Sequence, residues 1–247
     1  MSAKSKKSWL SYVNLSDPYE RKARFIPGFL SLLFLLPASA AFEDIISLWI
    51  KTLLAGVGVG AIISVGISHL ASAAGNRMQR KMWPRWPLDS PTNKWLHPGD
   101  MSRSEQQKLI WYSTIKRLTK LDIQRAIRSG DSGIESVIND AVSSIRYQLI
   151  NAKCADRLNL HNIDYGFARN FAGLRSLWVS FSFLSAVVTS YSFYRLGGSL
   201  AWCMVSVGLL VFSLIMAFRI LPDYVRQKAN YYAESFFSAM VELDASK

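Results

Sequence analysis

Four stretches of this chain contain no Lys, Arg, Asp or Glu and are long enough to cross a lipid bilayer. They are residues 25–42, 52–76, 176–194 and 196–218, which are 18, 25, 19 and 23 residues long. A hydrocarbon core about 30 Å thick takes roughly 20 helical residues. A backbone deprived of water must satisfy its own polar groups, so runs of this kind fold as helices. Buried helices of a soluble protein are the competing reading, and four such lengths in one chain weigh against it. The first run also imitates a secretory signal: Lys22 and Arg24, an apolar stretch to Leu36, the breaker Pro37, then Ala38-Ser39-Ala40-Ala41. The long preceding segment, with Asp17 and Glu20, and the basic middle that follows weigh against cleavage.

Charge is segregated from apolarity. The chain has 29 Lys+Arg against 17 Asp+Glu, a formal charge of +12, and half its residues are hydrophobic. Residues 1–24, 77–175 and 219–247 hold 27 of the 29 basic residues, whereas the two short turns contain only Lys51 and Arg195. The positive-inside rule then places head, middle and tail in the cytoplasm. The expected fold is an all-α integral membrane protein. Four transmembrane helices form two hairpins (25–76 and 176–218) around a basic helical domain (77–175), with a head at 1–24 and an amphipathic helix at 219–247. The expected location is the bacterial inner membrane, with both termini cytoplasmic.

The only cysteines are Cys154 and Cys203, and His69, His97 and His161 are scattered. No disulfide framework, metal site, phosphate loop or nucleophile elbow can be read from them. No catalytic or metal-binding residue is assigned, no cofactor is expected, and the chain is not read as an enzyme.

The spans carry their polar residues in stripes. Gly56, Gly60, Ser64, Ser68 and Ser72 recur every fourth residue, which lets helix backbones approach closely. Ser182, Ser185, Thr189 and Ser192 share one face of the third span, and Ser199, Ser206 and Ser213 recur at sevens in the fourth. Two readings are open: these hydroxyls line a narrow wet path, or they bond back to helix carbonyls and pack. His69 reads first as a packing histidine, and no span holds a charged residue to couple transport.

The middle block has 17 basic and 9 acidic residues. Trp83-Pro84-Arg85-Trp86-Pro87 reads as an interfacial belt and a non-helical exit. Trp111, Ile115 and Leu118 show helical spacing, Gly130 a stop, and Ser132 with Glu135 a capping box. The helix that follows carries one apolar stripe: Ile134, Ile138, Ala141, Ile145 and Leu149. Arg80, Lys81, Lys116, Arg117, Lys120, Arg125 and Arg128 are candidate nucleotide or nucleic-acid contacts, with Trp111 and Tyr112 nearby for stacking, although Trp111 belongs to the apolar stripe and reads first as core. The same excess is also what cytoplasmic topology produces. In the tail, Val225, Ala229, Tyr232, Phe236, Met240 and Leu243 form an apolar face that must dock on the middle domain, the membrane or a neighbouring subunit.

Two segments complete the picture. Asp17-Pro18-Tyr19-Glu20-Arg21-Lys22-Ala23-Arg24-Phe25-Ile26-Pro27 enters the first span. Asn162-Ile163-Asp164-Tyr165-Gly166-Phe167-Ala168-Arg169-Asn170-Phe171-Ala172-Gly173-Leu174-Arg175 precedes the third. With the terminal amphipathic helix, this layout resembles small bacterial membrane proteins encoded beside anti-phage genes, most closely the effectors of the Hailong type. The resemblance implies a homo-oligomeric membrane channel, taken as a tetramer, whose activation arrests growth of the infected cell. It also implies a partner nucleotidyltransferase that makes a short single-stranded DNA or nucleotide ligand, which holds the channel inactive. Arg169 and Asn170 are placed where they would couple ligand domain to pore; anchoring the soluble domain to the membrane is the alternative. For the whole chain the alternative is a non-conducting scaffold whose basic domain recruits a protein or anionic lipid.

Overall fold

The computed structural model describes residues 17–41, 57–130, 133–150 and 152–247, the side chains of 57–65 and 153 excepted. Lys4, Lys6, Lys7, Glu43, Asp44, Lys51, Gly56 and the Ser132 cap lie outside the described residues. Every regular element among the described residues is helical. The helices are α1 (Glu20–Ala40), α2 (Val57–Met82), α3 (Pro91–Lys94), α4 (Glu105–Thr119), α5 (Ile123–Arg128), α6 (Ile134–Ile150), α7 (Asp156–Gly173), α8 (Arg175–Leu196), α9 (Leu200–Ile215) and α10 (Leu221–Ala245). A π turn, Met216–Ile220, joins α9 to α10, giving one helical stretch of 46 residues. Among the described residues α1, α8 and this long stretch are long and apolar enough to cross a membrane. The helix of the second run is described from Val57, and its side chains from Gly66.

The chain forms two compact units. Unit 1 comprises Met1–Met78 with Gly166–Val225, and unit 2 comprises Gln79–Tyr165 with Arg226–Lys247.

Unit 1 has its polarity turned inside out. Ser31, Ser68, Asn170, Ser182, Ser185, Thr189, Ser206 and Ser213 are buried. Phe29, Leu36, Phe183, Val187, Tyr191, Met204, Val211 and Phe212 stand roughly half-exposed or more. Pro37 explains the irregular course of α1. It has no N–H to give the Leu33 carbonyl, and the chain tightens into a 3-10 turn, Leu33–Leu35, in which the Leu36 N–H serves that oxygen. The neighbouring Phe34 carbonyl accepts from Ser185 Oγ on α8 at 2.7 Å. Gly197, in the left-handed region at φ +70°, ends α8 and returns its N–H to the Ser192 carbonyl. Trp178, fully buried, packs between Phe34 and Phe171 with both ring centroids 5.1 Å away.

Unit 2 has an ordinary hydrophobic core. Trp95, Trp111, Ile115, Ile123, Ile138, Ile145 and Leu149 meet Phe236, Phe237 and Met240 of α10 there. The stripe expected on α6 is the one buried, with Ile134 at its edge. Of the three places open to the tail, α10 takes the middle domain. Phe237 stacks on Trp111 at 3.9 Å between centroids, and Arg103–Glu234 and Arg117–Asp244 ion pairs at 2.8 and 2.5 Å tie its polar side. Burying each of Phe236, Phe237 and Met240 contributes about 2–3 kcal/mol. The helix read toward Gly130 is two helices. Lys120 enters the left-handed region at φ +66° and closes α4, and Asp122 caps α5 by accepting the Arg125 N–H at 2.9 Å.

Candidate functional site

The cationic face of unit 2 is built by that break. Lys116 Nζ lies 2.6 Å from the Asp122 carboxylate. The hydrogen bond from Lys116, then the Arg125 N–H, hold the Asp122 carboxyl below its usual range, and the charges of Lys116 and Arg128 add to this. Lys116 and Arg128 thus act on one carboxylate, and Lys120 and Arg125 lie on the same two helix ends, all four exposed. Arg117, also exposed, points to Asp244, whose hydrogen bond raises the guanidinium further above its ordinary value. Lys116 and Arg117 thus have carboxylate partners, whereas among the described residues Lys120, Arg125 and Arg128 form no ion pair. Arg80 and Lys81 are exposed on the last turn of α2. Among the described residues no hydrogen bond or ion pair joins them to α4 or α5. Trp111 and Tyr112 belong to the core, each about 5% exposed, and the Tyr112 hydroxyl donates to the Leu96 carbonyl at 2.7 Å. Neither ring is presented for stacking.

Of the hydroxyl stripes of α8 and α9, Ser182, Ser185, Thr189, Ser192, Ser206 and Ser213 are buried in unit 1, whereas Ser199 is exposed. Ser182 donates to the Trp178 carbonyl at 2.8 Å, Ser185 to Phe34, and Thr189 to the Ser185 carbonyl at 2.8 Å. Thr189 and Ser206 share a hydrogen bond of 2.5 Å between the two helices, and Ser206 also donates to the Cys203 carbonyl. Ser192 and Ser199 line a 240 Å³ cavity with Thr189, Gly198, Trp202, Ala40 and Ala41. The bonds of Ser182, Ser185, Thr189 and Ser206 support the packing reading of these residues.

The two quoted segments meet in unit 1. Asn170, fully buried on α7, donates from Nδ2 to the Ala23 carbonyl at 2.6 Å. Its Oδ1 accepts from Arg169 Nε at 3.3 Å. A Cβ on Gly166 would lie 2.9 Å from the Ala23 side chain and 3.1 Å from the Tyr19 ring. A Cβ on Gly173 would enter the Ala74–Gly75 backbone, and one on Gly75 would overlap Asn170 Oδ1. Gly166, Asn170 and Gly173 therefore form the face of α7 on which α1 and α2 close. Gly75 was not singled out from the sequence; its only signal is its place in the small-residue run Ala71–Gly75.

The acceptor Ala23 lies in a π turn, Glu20–Phe25, and the second π turn is treated alike, with Arg175 Nη1 donating to the Ala217 carbonyl at 3.4 Å. A π turn shifts the hydrogen-bond register, which takes carbonyls off the α-helical ladder. In both turns a side chain from the segment 162–175 reaches such a carbonyl.

Among the described residues no three His, Cys, Asp or Glu side chains are grouped to hold a metal. No family model, characterised protein or solved structure matches this chain.

Proposed function

We propose that the protein is an oligomeric membrane channel of the anti-phage kind, gated by a phosphate-bearing ligand on its cytoplasmic helical unit. The observation that carries the reading is the inverted polarity of unit 1. Hydroxyls and an amide lie inside, while Phe, Leu, Val and Tyr face outward on α1, α8 and α9. Such a surface would be costly in water and is matched to lipid. On this reading four spans form two hairpins in the inner membrane, and head, middle and tail are cytoplasmic, where their basic residues belong.

Lys120, Arg125 and Arg128 are the proposed anion contacts, because among the described residues none of the three forms an ion pair with a carboxylate. Charge-assisted bonds to phosphate contribute about 1.5–3 kcal/mol each, and about 5.5 kcal/mol moves a two-state gate from 1:99 to 99:1. A short single-stranded oligodeoxynucleotide or nucleotide, supplied by a partner nucleotidyltransferase, is the proposed ligand, and it holds the channel closed. The meeting of the two motif segments at Asn170 supports a coupling role for Arg169 and Asn170.

The test is ion flux through proteoliposomes holding the purified protein, with and without short single-stranded DNA. Flux that the oligonucleotide suppresses supports the proposal. An oligomer with no flux in either condition supports a membrane-anchored scaffold instead.

A further inference from the structure

The 240 Å³ cavity at the end of the α8–α9 hairpin holds two hydroxyls with no local task. Thr189 and Ser192 form its buried wall, and Ser199 and Trp202 its exposed mouth. Thr189 Oγ1 is engaged with the Ser185 carbonyl and with Ser206. Ser192 is only 4% exposed, yet among the described residues no hydrogen bond reaches its Oγ. A buried hydroxyl left so costs free energy, and in a helix it ordinarily donates one turn back, as Ser182 does. Gly198 leaves it room, because a Cβ there would overlap Ser192 Oγ.

Ser199 is the second hydroxyl. It is the N-cap of α9, where a serine ordinarily accepts a backbone N–H, but its side chain caps nothing. The Cys203 N–H makes the first bond of α9, to the Ser199 carbonyl at 3.3 Å. The N–H groups of Leu200, Ala201 and Trp202 therefore have no acceptor within the helix. This uncapped start borders the cavity through Gly198, Ser199 and Trp202, and it is the positive end of the α9 dipole. Across from it, the Ser192 carbonyl already accepts from the Gly197 and Gly198 N–H groups, which meets the negative charge of that oxygen.

We infer that this cavity is a binding site for a small monovalent anion, a halide such as chloride. Two hydroxyl donors without protein partners border it beside a helix start whose free N–H groups favour negative charge. The other walls, Ala40, Ala41 and the Trp202 ring, are apolar. No carboxylate lines the cavity to repel an anion, and no Lys or Arg lines it to neutralise the two charges of a phosphate. A cation would face the positive end of α9. A singly charged ion satisfied by uncharged donors is what remains. The site lies wholly within unit 1, and it stands whether or not that unit lies in lipid.

Thermal unfolding of the full chain in a neutral detergent tests this, with chloride exchanged for the much larger gluconate at constant ionic strength. The melting temperature should rise saturably with chloride, by about 3–6 °C once chloride is tenfold above its dissociation constant. Ser192→Ala should melt with the parent in gluconate, because its Oγ has no protein partner to lose, and should forfeit most of the rise in chloride. Ser199→Ala, at the exposed mouth, should reduce the rise as well and serves if the first variant fails to fold. Broadening of the chlorine magnetic resonance line reads binding directly: the parent should broaden it, and each variant should remove most of the excess. Equal melting in both salts with no broadening means that the cavity holds water only, and overturns the site. A chloride effect that both variants retain in full places the ion elsewhere and also overturns it. So does a Ser192→Ala protein that melts well below the parent in gluconate, because the hydroxyl then serves the fold rather than a ligand.

Discussion

Asn170 donates its side-chain amide to the Ala23 carbonyl at 2.6 Å, although the two residues are 147 positions apart. The bond joins the segment that enters the first span to the one that precedes the third, at a π turn. It makes Asn170 a positioning residue whose removal takes this partner from the Ala23 carbonyl and from the buried face it closes. Asn170→Ala should cost about 1–3 kcal/mol. Asn170→Asp should cost more, because it sets a carboxylate oxygen against the carbonyl. Thermal unfolding in detergent gives the order; equal stability of all three proteins would remove the bond from the account.

The hydroxyls of α8 and α9 give a contrasting case. Thr189→Val keeps the shape and removes one partner of Ser206. It should lower stability by about 1 kcal/mol and leave single-channel conductance unchanged. Ser185→Leu forces extra volume into a fully buried site bonded to Phe34, and should destabilise by about 1–3 kcal/mol. On the channel proposal, a folded Thr189→Val protein with altered conductance would make these residues pore-lining.

The architecture was legible wherever one physical signal dominated. Absence of charge over bilayer-length runs marked α1, α8 and α9, and the apolar stripe of α6 is the stripe that is buried. The break at Lys120 was not legible, because a lysine with φ +66° has no sequence signature. Only the cap Asp122, three residues before Arg125, hinted at a new helix. The Asn170–Ala23 bond was equally hidden. It depends on a shift of helix register, and hydropathy does not report register. Trp111 lies in the core, as its place in the apolar stripe implies, with Phe237 of α10 stacked on it, whereas Tyr112, read as available for stacking, is buried with its hydroxyl on the Leu96 carbonyl.

Burial pushes the Tyr112 phenol from 10.0 up to about 12, while its hydroxyl donates to Leu96. A group whose pKa is raised by folding stabilises fully below its unfolded value, and that contribution is lost as pH rises through the folded one. Unit 2 should therefore weaken between about pH 10 and pH 12, by up to about 3 kcal/mol. Tyr112→Phe should flatten that part of the profile. Melting temperature against pH for both proteins checks it; a Phe variant as alkali-sensitive as the parent contradicts it.

Phe237 should be the most sensitive position of the tail. Phe237→Ala removes the ring stacked on Trp111 and should cost about 3–5 kcal/mol. The Trp near-ultraviolet signal should collapse with it. A loss under about 1 kcal/mol would mean that α10 is not integral to the unit 2 core.

Charge tests of ligand binding should avoid Lys116 and Arg117, which hold Asp122 and Asp244. Lys120→Gly suits its left-handed backbone and removes a charge with little loss of stability. Combined with Arg125→Glu and Arg128→Glu, it should weaken binding of short single-stranded DNA and flatten its salt dependence. Retained affinity with an unchanged salt slope would exclude this face.

The placement of unit 1 in lipid is tested most directly by collision accessibility of nitroxides at Phe183, Phe212 and Tyr147 in nanodiscs. These side chains are 60%, 51% and 75% exposed, the first two in unit 1 and the third in unit 2. At Phe183 and Phe212 the label should relax with oxygen and ignore a water-soluble nickel chelate, whereas at Tyr147 the chelate should dominate. Free access of the chelate to Phe183 and Phe212 would contradict the account.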